Sequence, residues 1–71
     1  MSLYKVKIKT NQVTSSKHLL CEGDVVVLKH RVERFPFNCV VNHFEVYSLD
    51  TRCHLGDLNY VTEADIEQLD W

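Results

Sequence analysis

Polar and apolar residues alternate without a break across residues 3–9, with Leu3, Lys5, Lys7 and Lys9 on one side and Tyr4, Val6 and Ile8 on the other. A period of two predicts a half-buried strand that shows a lysine row to water. Such a row also guards a sheet edge against unwanted pairing. Residues 10–17 are polar and read as a loop, without the glycines that a phosphate cradle needs.

Glu22-Gly23-Asp24 is a turn signal, and the run Val25-Val26-Val27-Leu28 behind it launches a strand over residues 25–32. Val26, Leu28, His30 and Val32 form its expected core face. Phe35-Pro36-Phe37-Asn38 breaks the pattern, because proline has no amide to donate to a ladder. Two phenylalanines there are expected to close one end of a small core. Residues 39–49 make the longest strand, with Val40, Phe44 and Val46 on one parity, and pair antiparallel with residues 25–32. Turns at Asp50-Thr51 and Gly56-Asp57 then set off two short strands, residues 52–55 and 58–61.

The ending changes character. Thr62-Glu63-Ala64-Asp65 places a capping hydroxyl three residues before a carboxylate, with acids where a helix dipole favours them. Ala64, Ile66 and Leu69 then supply an apolar stripe for a short helix. The expected fold is mostly β, a small five-stranded curled sheet or partly open barrel with a short C-terminal helix, in a single domain of residues 1–71. Its expected core is Tyr4, Val6, Ile8, Leu20, Val26, Leu28, Val40, Phe44, Val46, Leu58, Val61, Ile66 and Leu69.

Glu22-Gly23-Asp24 with the valines after it, and Tyr60-Val61-Thr62 with Glu63-Ala64-Asp65-Ile66-Glu67-Gln68-Leu69, resemble the Src-homology-3-like small β-barrels. The resemblance is one of fold. It implies a compact scaffold whose loops bind peptide, protein or nucleic acid. The paired acidic and aromatic motif of the peptide-binding branch is not matched, and Tyr47, Tyr60 and Trp71 are the aromatic surface candidates.

At 71 residues there is room for one core. Folding at this size hides only about 60% of the unfolded surface, so the chain is expected as a monomer or as a homodimer that enlarges that core. No apolar stretch has the length of a signal peptide or membrane span, and the expected compartment is the cytoplasm, without membrane contact. Cys21, Cys39 and Cys53 lack the short paired spacings of a zinc knuckle or redox pair and read as partly buried small hydrophobes.

Charge is unevenly spread. Residues 1–35 hold seven of the eight Lys/Arg and three of the ten Asp/Glu, so a net charge of −2 conceals a basic half and an acidic half. The leading expectation is a non-catalytic macromolecule-binding module, a small protein-interaction or regulatory domain. Its protein partner would meet Glu63, Glu67, Asp70 and Trp71. The alternative is salt-dependent binding of RNA or single-stranded DNA through Lys5, Lys7, Lys9, Lys29 and Arg31.

Enzyme chemistry is not expected. Histidines and cysteines are present, but no Gly-rich elbow or acid–base spacing organises them, and a core this small leaves little room for a dry pocket. Nor is a metal or other cofactor expected, since adjacent Cys53 and His54 would point to opposite faces of a strand.

Overall fold

The computed structural model describes residues 2–71. Seven strands follow one another: β1 (Ser2–Ile8), β2 (Gln12–Val13), β3 (Leu19–Leu20), β4 (Val25–Phe35), β5 (Cys39–Ser48), β6 (His54–Leu58) and β7 (Ile66–Leu69). Five of them form one antiparallel sheet in the order β6-β5-β4-β1-β7, and β2 pairs with β3 in a separate two-stranded hairpin. The alternation in β1 is realised as written, with Val6 and Ile8 buried and Lys7 exposed.

The core lies on the inner side of the sheet. Val6, Ile8, Leu20, Val26, Leu28, Val46 and Leu58 are buried together, with Tyr4, Phe44, Leu55, Val61 and Ile66 packed around them. Leu20 comes from the β2–β3 hairpin. Two expected core residues lie elsewhere: Val40 is 46% exposed, and Leu69 sits opposite Lys5 on the outer face. Val27, on the outer face between Lys5 and Tyr47, is buried instead. Leu3, Lys29, Tyr47 and Arg52 surround it, and the lysine stem gives apolar cover while its ammonium stays wet.

The expected fold class is corrected in two respects. Among the described residues there is no helix, and the ladders do not close into a barrel. Thr62 does organise a turn: its carbonyl accepts from the Asp65 and Ile66 amides, and its hydroxyl donates to Asp65 Oδ2 at 3.0 Å. The chain then extends as β7 against the edge of β1. A two-turn helix is too short to hold itself together, whereas the β1 edge supplies a ladder and sets Ile66 beside Ile8.

Two turn readings are corrected as well. Gly56-Asp57 runs inside β6, where the register against β5 slips by a bulge between Val46 and Tyr47. Phe35-Pro36-Phe37-Asn38 does not close the core; it is the far tip of the β4–β5 hairpin, with Phe37 fully exposed.

Candidate interaction surface

β4 and β5 are longer than their neighbours. β1 stops pairing with β4 at His30, and β6 begins pairing with β5 at Phe44. Among the described residues, 31–43 therefore leave the body of the sheet as a two-stranded arm joined only to itself. The molecule is correspondingly elongated, 39 × 26 × 25 Å.

The arm forms because its residues are good ribbon formers and its turn fits. Val32 lies opposite Asn42, Glu33 opposite Val41, Arg34 opposite Val40 and Phe35 opposite Cys39. At the tip Phe37 and Asn38 have φ of 65° and 60°, the twist that a tight hairpin needs. Asparagine tolerates this left-handed region, but a bulky aromatic does so at a cost of about 1–2 kcal/mol.

His30 stacks on Phe44 at the root, with ring centroids 4.9 Å apart, and donates from Nε2 to Asn42 Oδ1 at 2.9 Å. Beyond that anchor the arm is apolar and wet. Val32, Phe35, Phe37, Val40 and Val41 are half of the large hydrophobic residues exposed among the described residues. Arg31 lies 3.7 Å from Glu33 Oε2, and His43 Nε2, buried and without a hydrogen-bond partner among the described residues, lies 3.9 Å from the same oxygen.

The residues singled out in the sequence are placed differently. Lys5, Lys7, Lys29 and Arg31 do share the outer face, but acids lie among them. Lys7 stands opposite Glu67, Lys29 lies 3.8 Å from Glu45, Arg31 pairs with Glu33, and Lys9 Nζ donates to the Glu63 carbonyl at 2.9 Å. The two halves of the chain thus interleave on the outer face.

Glu63, Glu67, Asp70 and Trp71 are all exposed but not aligned, because Glu63 lies in a turn, Glu67 on a strand and the last two beyond it. Trp71 meets Arg52, whose guanidinium carbon is 5.8 Å from the ring centre. Arg52 precedes one edge strand and Trp71 follows the other, so this contact links the two sides of the sheet.

Cys21, Cys39 and Cys53 are all exposed free thiols, against the expectation of burial. Cys39 stands beside Val40 and Val41, which belong to the exposed arm rather than the core. Among the described residues none of the three cysteines joins a cluster of ligands, although His54 does. Among the described residues the metal-compatible group is Glu45, His54 and Asp57, on the outer face of β5 and β6. There His54 Nε2 already bonds Asp57 Oδ1 at 3.0 Å and the Lys29 ammonium stands by Glu45, so the carboxylates have cationic or donor partners of their own. Tyr47 completes the group, its hydroxyl donating to Glu45 Oε2 at 3.4 Å.

The hollow lined by Lys9, Val61, Thr62, Glu63, Ile66 and Glu67 opens to solvent. No helix among the described residues is long and apolar enough to cross a membrane. These features define a small all-β protein with an apolar hairpin arm. Comparison with protein families, curated proteins and solved structures found no match.

Proposed function

We propose that the chain is a non-catalytic protein-interaction module, regulatory in kind, whose contact surface is the β4–β5 arm. One observation carries the reading: Phe37 is wholly exposed at the arm's tip with φ of 65°. A tight turn is served better by Gly or Asn, and an exposed ring adds nothing to the core, so neither turn chemistry nor packing accounts for phenylalanine there. Aromatic anchors flanked by β-branched residues are what protein contacts use, and the paired charges at the arm's root form a polar rim.

Glu67 opposite Lys7, Glu45 beside Lys29 and Glu33 beside Arg31 leave the outer face mixed in sign, which favours protein over nucleic acid as the partner. Placing a photo-crosslinking benzophenone side chain at position 37 tests the reading. It is expected to link the chain to one defined protein species, while the same group at exposed Lys17 does not. Equal, diffuse labelling from both positions would refute it.

A further inference from the structure

We infer that the free edge of β5 pairs with the same edge of a second copy of this chain, antiparallel, about a two-fold axis at Val41. The inference rests on the arm being the contact surface and names its partner. Residues 39–43 have β4 on one side and, among the described residues, no strand on the other, because β6 joins only from Phe44. The two edges of the arm are not alike. The β4 edge carries Arg31, Glu33 and Arg34, which discourage pairing, whereas Cys39-Val40-Val41-Asn42 has no charge and no proline.

The β5 edge is also complementary to itself. With Val41 on the axis, Val41 meets Val41, Val40 meets Asn42 and Cys39 meets His43. Centring the β4 edge on its own middle residue would instead set Glu33 against Glu33. The backbone agrees with the register. The Cys39 amide points toward β4, donating to the Pro36 carbonyl at 3.4 Å. By alternation the main-chain groups of Val40 and Asn42 point to the open side, so each Val40 can exchange both its bonds with the other copy's Asn42.

Length and area fit as well. In this register the ladder ends with Cys39 opposite His43, short of Phe44, whose edge Leu58 already occupies, and the tip carrying Phe37 turns aside past the end of β6. A compact chain of 8.3 kDa shows roughly 4,600 Å² of surface. This one shows 5061 Å². Two copies that shed the difference hide about 900 Å² together, the size of a weak, reversible interface. Using the same edge twice closes the assembly at two chains.

Sedimentation equilibrium from micromolar to millimolar concentration is expected to show a monomer–dimer equilibrium for the wild type. Val41→Lys, which puts two ammonium groups on the axis, should weaken it at least about tenfold without altering the circular dichroism. With the three native cysteines changed to serine, Val41→Cys should oxidise to an interchain disulfide, because non-hydrogen-bonded antiparallel partners sit at about 4.5 Å between Cα atoms. Thr51→Cys in the same background should not. A wild type that stays monomeric, a dimer indifferent to Val41→Lys, or equal oxidation at positions 41 and 51 would each overturn the inference. If the chain is monomeric while position 37 still crosslinks to one other protein, self-pairing falls and the arm reading stands; if neither is seen, both fall.

Discussion

The Thr14 hydroxyl donates to the Leu55 carbonyl at 2.7 Å, across 41 residues of chain. The same oxygen accepts the His18 amide at 3.2 Å, so one buried side chain ties the β2–β3 hairpin to β6 and closes its own turn. Gly56, the next residue, lies directly beneath with φ of 119°.

A methyl group on residue 56 would come within 2.7 Å of Thr14 Cβ and 3.0 Å of the Ser16 amide nitrogen, in a backbone region that side chains rarely adopt. Gly56→Ala is therefore expected to destabilise the fold by about 3 kcal/mol or more, since strain and overpacking act together. Equilibrium urea denaturation measures it. A loss below about 1 kcal/mol would mean that the hairpin moves aside freely.

Thr14→Val keeps the shape and removes both bonds. It leaves the Leu55 carbonyl and the His18 amide without their partner, a cost of about 1–3 kcal/mol. Amide exchange is expected to accelerate at His18 and at Ser15, whose amide bonds the Asp57 carbonyl, before it does in β4. Uniform acceleration through the sheet would show that the hairpin is not a separate unit.

Tyr47 gives the fold an alkaline limit. Removal from water, then the charge of Glu45, the hydrogen bond to it and the charge of Asp57 hold the phenol above its usual value. Because the folded chain keeps this proton more tightly than the unfolded one, the stabilisation is complete below the unfolded value of about 10 and falls as pH climbs from there through the folded value. The denaturation midpoint of the wild type should drop above about pH 10 more steeply than that of Tyr47→Phe. Parallel decline of the two proteins would remove Tyr47 as the cause.

Much of the sheet was legible because its signals are local. Alternation marks β1, and the valine run marks β4. Where the reading failed, the deciding contact was far away in the chain. Gly56 reads as a turn until Thr14 is placed over it, and residues 62–69 read as a helix until the open edge of β1 offers Ile66 and Gln68 partners in Ile8 and Val6. Val40 was given the correct parity with Phe44 and Val46, yet parity cannot say where a strand outruns its core. That same gap hid the arm. Phe35, Phe37 and the nearby valines look like core in sequence, and only the lengths of β1 and β6 beside them reveal that they are exposed.

The tip offers the sharpest separation of stability from contact. The Phe37 ring is as wet when folded as when unfolded, so its removal forfeits little transfer free energy, while Asn adopts its φ of 65° with less strain. Phe37→Asn is expected to raise stability by about 0.5–1 kcal/mol in urea denaturation, the reverse of most aromatic truncations. It should also weaken association through the arm, measured as the monomer–dimer constant, because the anchor is gone. A mutant that is less stable would show that the ring packs against its own hairpin. One that is more stable and associates as tightly would show that the ring anchors nothing. Gain of stability joined to loss of association is the pattern expected of a residue kept for a partner rather than for the fold.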